Sequence, residues 1–287
     1  MIAREVLEDT WALAKRNLKV FYRDRSSVFV ALGGVAIILV LYLAMLRPSV
    51  ISQYAEFPSA SVMADAWVIG GMLCIIPVTS AAVALGSMVK DRYTGAVRDF
   101  RASPAGSVAI TGGYLVSTFV VSLSMTSLFL AIAVVWVLAS GASVGAAEIA
   151  MAVGLMFPTS LFSCAMMYFL MLFVKSRAAY DGFVMLVNLL MGFFTGTYVP
   201  LGVLPDGVRD ALSLFPSTQA GSLYRDVLGS EALRSTFPAE RVAAERAYLG
   251  FDLFVGGFQI TPGVAVLSLF GFAALFFALS AAVARRV

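Results

Sequence analysis

The sequence predicts an all-α integral membrane protein: six transmembrane helices with both termini cytoplasmic, an N-terminal interfacial helix, and outer half-helices before the last span. Three observations predict it. The 287 residues are 60% hydrophobic and only 13% charged, with a mean hydropathy of +0.91, whereas soluble domains carry about 25% charged residues. Six apolar runs, near 27–46, 66–89, 108–139, 149–174, 182–199 and 263–284, are each long enough to cross a hydrocarbon core of about 30 Å at about 1.5 Å per residue. With the N-terminus inside, the cytoplasmic pieces 1–26, 90–107, 175–181 and 285–287 hold 14 of the 20 Lys and Arg but 7 of the 17 acids. That is the positive-inside bias.

Residues 1–26 open the chain as a basic amphipathic segment. Leu7, Trp11, Ala14, Leu18 and Phe21 recur at helical spacing, with Lys15, Arg16, Lys19 and Arg23 around them. A helix with Trp and Leu on one face and Lys and Arg on the other lies in the headgroup plane; an ordinary tail is the plainer alternative. Some 26 mostly polar residues precede the first apolar run, so no cleavable signal is expected and the first span directs insertion. The rest, 27–287, is one transmembrane domain.

Lys90 to Pro104 is a charged island between the second and third apolar runs. Tyr93, Val97 and Phe100 fall at i, i+4 and i+7, with Arg92, Arg98, Asp99 and Arg101 around that stripe. Ser103-Pro104 ends the pattern, because the residue before a proline is pushed out of the helical region. The reading is a short amphipathic helix over 91–102 that gives another protein a handle; a loop kept basic only to set topology is the other reading. The third run is overlong at its start, where Val108 to Gly113 is expected to continue as interfacial helix.

The largest segment outside the runs is 200–262, on the outer side. Leu204-Pro205-Asp206 leads into Val208, Leu212 and Phe215 at helical spacing; Pro216 breaks the pattern, and Gln219 to Leu228 reads as a second short helix. Both look like half-helices dipping into the outer leaflet, tolerated where free backbone groups are buried in protein or wetted. Gly229 to Pro262 reads as a small external cap with a polar helix around Ala239–Tyr248.

The chemistry available is narrow. There is no histidine, Cys74 and Cys164 lie inside apolar runs, and no phosphate-binding glycine loop occurs. No catalytic group and no metal set is expected. The six runs hold no Asp, Glu, Lys or Arg in their interiors, unlike an ion-coupled carrier. Asn188 is the strongest polar group there, accompanied by hydroxyls that include Thr79, Ser122 and Thr126. These serve as helix–helix glue or line a mildly polar path with Met191 and Phe194. Gly33-Gly34, Gly70-Gly71 and Gly112-Gly113 permit close helix approach.

These residues resemble the membrane subunits of bacterial ABC-2 type exporters, the drug-export permease kind. Lys90-Asp91-Arg92, Gly95, Val97 and Ser103-Pro104 are similar to that family's run after the second span; Pro200, Leu204-Pro205, Leu212, Pro216 and Arg225 are similar to its signature before the last. This chain departs in having Lys90-Asp91 where members commonly carry two acids and Arg98 where they carry one. Its external cap, 229–262, is also longer than expected.

The resemblance implies a half-transporter moving an amphiphilic or hydrophobic substrate (drug, peptide antibiotic or lipid) outward across the bacterial inner membrane. It implies a partner ATPase, in two copies, that binds ATP and Mg and docks on Asp91, Arg92, Tyr93, Gly95, Val97, Arg98, Phe100, Arg101 and Pro104. The interfacial helix with Trp11, Lys15, Arg16, Lys19 and Phe21 moves with it. Pro200, Leu204, Pro205, Leu212, Phe215, Pro216 and Arg225 form an outer gate. No cofactor is expected in this chain. The other expected partners are a second membrane subunit, identical or homologous, and the lipid bilayer, with no nucleic acid. Asp91→Ala or Phe100→Ala is expected to unseat the ATPase while leaving the membrane fold intact. The rivals are a secondary carrier or channel, a lipid-modifying membrane enzyme, and a permease-like scaffold that does not transport.

Overall fold

The computed structural model describes residues 2–102, 106–141 and 144–284. The chain begins with α1 (Ile2–Arg23) and α2 (Arg25–Leu41), a π-helical turn (Tyr42–Leu46) and α3 (Arg47–Gln53). There follow α4 (Ala60–Ala84), α5 (Gly86–Thr94), α6 (Ala96–Ala102), α7 (Ser107–Ala139), α8 (Ala146–Met171) and α9 (Arg177–Phe194). The segment between α9 and the last helix holds α10 (Asp206–Ser213), α11 (Pro216–Thr236), α12 (Ala239–Leu249) and a hairpin of β1 (Leu253–Val255) and β2 (Phe258–Ile260) before α13 (Pro262–Ala284). Among the described residues, five helices are long and apolar enough to cross a membrane: Ala60–Thr94, Ser107–Ala139, Ala146–Met171, Arg177–Phe194 and Pro262–Val283.

The bundle is built around α4. Its sequence is apolar on every side, so it has no face for water, and α2, α7, α8, α9 and α11 wrap it until almost all of it is buried. Pro77, inside α4, cannot donate to the helix ladder; Ser122 of α7 donates to the Pro77 carbonyl at 3.1 Å and Ser80 to the Ile76 carbonyl at 2.6 Å. Glycine brings in the neighbours. A Cβ on Gly70 would lie 2.8 Å from the backbone nitrogen of Arg225, so α11 crosses α4 at van der Waals contact.

Several sequence boundaries shift. The first run, 27–46, is the 17-residue α2 continued by the π turn, because the chain is redirected at Tyr42 and Arg47 toward Asp65. The fifth run begins earlier than 182, since the Ser176 hydroxyl caps α9 by accepting from the Ala179 N–H at 3.2 Å. It ends at Phe194 rather than 199, where Gly196 turns the chain with φ of 63° and Tyr198 folds back onto Gly192. Pro216 does end α10, but it is also the first residue of α11, where proline's missing N–H costs nothing. That helix does not stop at Leu228. It runs to Thr236, because Gly229 lets Phe251 lie against it and Leu233 fills the core. The cap therefore starts later than 229, and α12 matches the polar helix read around Ala239–Tyr248. The hairpin was not read from sequence: Val255 pairs with Phe258 across Gly256 and Gly257, whose φ values of 56° and 85° suit a two-residue turn.

Candidate functional site

On the basic side, five elements meet at Asp91. Gly112 and Gly113 of α7 admit Thr10 and Leu13 of α1 so closely that a Cβ on Gly113 would be 2.6 Å from that of Leu13. The glycine pair thus seats α1 rather than another span. Ala14, Asn17 and Phe21 are buried, whereas Leu7 and Trp11 of the predicted stripe stay exposed. Lys15 lies 5.3 Å from the Trp11 ring; Lys19 is exposed.

This docking brings Arg16 onto Asp91 as a two-pronged ion pair, with Nη1 to Oδ2 at 2.6 Å and Nη2 to Oδ1 at 2.9 Å. Tyr114 of α7 donates its hydroxyl to the same carboxylate at 2.7 Å, and Asn17 reaches Ser117 at 3.4 Å. The hydrogen bond to Asp91 holds the Arg16 guanidinium above its ordinary value. The Arg16 guanidinium also lies 5.0 Å from the ring centre of Phe100 in α6. Arg92 donates to the Met171 and Leu172 carbonyls at 3.1 and 3.5 Å, at the C-terminal end of α8, where free carbonyls and the helix dipole attract a cation. One clasp therefore ties α1, α5, α6, α7 and α8 together.

The clasp corrects the reading of 91–102 as one helix. Gly95, with φ of 84°, caps α5 in the left-handed region, and α6 starts at Ala96. Tyr93 and Val97 are consequently on different helices and do not form one stripe. Asp91 and Arg92 belong to the end of the α4–α5 rod, and Asp91 is buried rather than presented. Asp91→Ala would thus disturb the membrane fold itself, and Phe100 is half-covered beneath Arg16. Tyr93 and Arg98 are the exposed members of the set, with Val97 half-buried. Pro104 and the Arg101 side chain lie outside the described residues.

A second Arg–Asp–Tyr clasp sits at the other end of the same rod, and sequence reading missed it. Asp65 of α4 accepts from Arg47 Nε at 2.8 Å and from the Tyr42 hydroxyl at 2.5 Å. Asp65 and Asp91 are separated by about 39 Å of helical rise at about 1.5 Å per residue, close to a bilayer's full thickness of about 40–45 Å including headgroups. The available signal was the placing of an acid and an arginine at the facing ends of the first two apolar runs.

Near the Asp65 end of the same rod, Arg225 of α11 is fully buried. Its Nη2 donates to the Thr195 and Gly196 carbonyls at 2.9 and 3.1 Å, its Nε to the Trp67 carbonyl at 3.2 Å, and its guanidinium lies 5.7 Å from the Trp67 ring. The charge is carried by carbonyls just past the C-terminal end of α9, the negative end of that helix's dipole. The sequence placed Arg225 in an external half-helix; the structure makes it a buried pin between α11, α4 and the α9 turn. Of the other gate positions, Phe215 stacks edge-on to Phe194 at 5.5 Å and Pro216 is buried, while Pro200, Leu204 and Leu212 are half-buried and Pro205 is exposed. The cap is tied on by Arg246, which pairs with Asp226 and Asp252, each at 2.8 Å; that pairing holds its guanidinium above the ordinary value. Burial and the 2.7 Å bond to Glu245 keep the Tyr54 hydroxyl protonated well above its usual range.

The residues proposed for a substrate path do not come together. Thr79, Ser122 and Thr126 are buried between helices, and their hydroxyls bond backbone carbonyls at 3.2, 3.1 and 2.8 Å. That is the glue role. Met191 is buried against the core, and Asn188 lies apart on α9, lining a groove.

Apolar helices packed round a buried central rod, with an amphipathic helix at one end and a folded cap at the other, define a multi-pass membrane protein. The chain matches the model of the ABC-2 family transporter proteins over residues 45–282 and belongs to that family, as the transmembrane subunit of an ABC exporter. Subunits of this family work with an ABC ATPase, pair with further membrane subunits and are generally not catalytic themselves. No curated protein matches the chain.

Proposed function

We propose that this subunit spans the bacterial inner membrane six times with both termini cytoplasmic. It pairs with a second membrane subunit, identical or homologous, and exports an amphiphilic or hydrophobic substrate. ATP and Mg bind to two copies of a separate ATPase that docks on the segment 90–104. The clasp at Asp91 carries this reading. A motor pressing on α6 moves a segment that is joined through Arg16 and Asp91 to the interfacial helix and to the buried rod. Because interfaces of this kind have discrete packings rather than a continuum, displacement at α6 is passed on to the rod and from there to the Arg225 pin and α11. The α10–α11 region, with Phe215 and Leu212, then acts as the outer gate.

The test is co-purification of the tagged protein from its native cell in mild detergent, with Tyr93→Ala and Arg98→Glu as docking variants on exposed positions. Wild-type protein is expected to bring down an ATP-binding-cassette ATPase in stoichiometric amount, and both variants to lose it while eluting as folded protein. A chain that emerges without an ATPase, or variants that retain it fully, would overturn the docking site.

A further inference from the structure

A cavity of about 560 Å³ lies in the cap, walled by the turn Leu201–Val203, α10, α12 and the hairpin. Its size falls in the range of about 300–1,000 Å³ usual for small-molecule sites. One face of α10 looks onto it: Asp206, Arg209, Asp210 and Ser213 stand at i, i+3, i+4 and i+7, and all four line the cavity. Arg209 is taken by Asp206 at 2.7 Å. Asp210 has no ion pair among the described residues; its Oδ2 accepts the Gly256 N–H at 2.8 Å, and its Oδ1 is left open. Ser213 is only 1% exposed, and its hydroxyl has no hydrogen-bond partner. Tyr248 of α12 and Phe254 of β1, both half-buried, supply ring walls. The charges around the cavity do not cancel. Asp206 is matched by Arg209, while Asp226 and Asp252 share Arg246. Buried Arg225, behind Gly250, balances one charge of that second set. The surplus is the negative charge of Asp210. The whole segment 200–262 leans the same way, with seven acids to five arginines.

From this arrangement we infer that the cavity binds a free primary organic amine as its ammonium ion, with the ammonium between Asp210 and Ser213 and an apolar body against Tyr248 and Phe254. Asp210 and Ser213 are three residues apart on one helix face, so a single group can reach both. An ammonium donates three hydrogen bonds and accepts none, and it satisfies the open carboxylate oxygen and the orphan hydroxyl together. A buried hydroxyl without a partner carries a desolvation cost that such a ligand relieves. Aromatic rings favour a cation beside them. A quaternary ammonium has no N–H to give, and an anion meets the surplus acid. A phosphatidylethanolamine headgroup brings a phosphate with its ammonium and meets the same repulsion. Among the described residues no group of three metal-ligating side chains stands close enough to hold a metal ion. The site involves neither the ATPase nor the segment 90–104, and a ligand in it braces α10 against α12 and the hairpin.

The experiment titrates the full chain in phosphatidylcholine nanodiscs with dansylcadaverine, a primary amine on a fluorescent apolar body, and subtracts the signal of empty nanodiscs. Saturable binding to the chain is expected, with the uncharged N-acetyl derivative binding about tenfold more weakly, as loss of a charged hydrogen bond implies. Asp210→Asn should weaken binding of the amine by a similar factor while keeping an oxygen for the Gly256 N–H. Glu240→Gln, an exposed change of equal charge on α12, should leave binding unchanged. Ser213→Ala should weaken binding severalfold without lowering the melting temperature of the unliganded protein, because the hydroxyl it removes has no partner to lose. Nanodiscs rich in phosphatidylethanolamine should bind the probe equally well; its displacement there assigns the ammonium to a lipid headgroup and overturns the free amine. Equal binding of the acetylated probe, unchanged binding in Asp210→Asn, or equal losses in Asp210→Asn and Glu240→Gln overturns the site. The readout needs no ATPase, so its outcome and that of the co-purification are independent.

Discussion

The Arg16–Asp91 pair makes a quantitative claim. The Asp91 side chain retains 6% of its surface and Arg16 39%, so the pair falls between a buried ion pair, whose disruption costs about 3–5 kcal/mol, and an exposed one worth about 0–1 kcal/mol. With Tyr114 still donating to the carboxylate after Arg16 is lost, a cost of about 2 kcal/mol is expected for Arg16→Met. That is roughly a thirtyfold rise in transient undocking of α1. Amide hydrogen exchange across Ile2–Arg23, measured in nanodiscs, reads that undocking directly. Asp91→Asn removes the same charge pair from the other side. The double variant should therefore undock little more than either single one, giving a coupling of about 2 kcal/mol in the cycle. Strict additivity of the two substitutions to within about 0.5 kcal/mol would falsify the clasp.

Other expectations follow from the Arg225 pin and the island. Arg225→Lys keeps a buried charge but cannot reach three carbonyls with one ammonium; a loss of about 2 kcal/mol is expected from the abandoned carbonyls. It should register as a lower melting temperature in detergent, and an unchanged one refutes the pin. Gly95→Ala forces a side chain into the left-handed region at a cost of about 1 kcal/mol and re-aims α6. Expression and melting should be nearly normal while stimulated ATPase activity of the reassembled complex falls; retention of full stimulation would remove α6 from the coupling path.

Much of the scaffold was legible because a bilayer imposes it. Runs of apolar residues have no other place, and helices must satisfy their own backbone there; α7, α8 and α13 accordingly begin and end within three residues of the runs that predicted them. The site was less legible. Tyr93, Val97 and Phe100 have helical spacing, but spacing cannot reveal that Gly95 takes a positive φ between them. Asp91 reads as a surface acid in a basic island until α1 folds over it.

What the sequence determined by itself is therefore the class: a multi-pass helical protein with a basic interfacial helix and two loops similar to those of ABC-2 permeases. Composition and periodicity are local, and partition into lipid acts on them one segment at a time. Which segments touch was decided only by the tertiary structure. Asp65 and Asp91 are charges at the two ends of one rod, and each needs an arginine from another helix to make its burial tolerable. Arg225 needs the carbonyls of another helix's end. These partners are matched by packing, through glycines that let backbones approach, and no local pattern in the chain encodes that match.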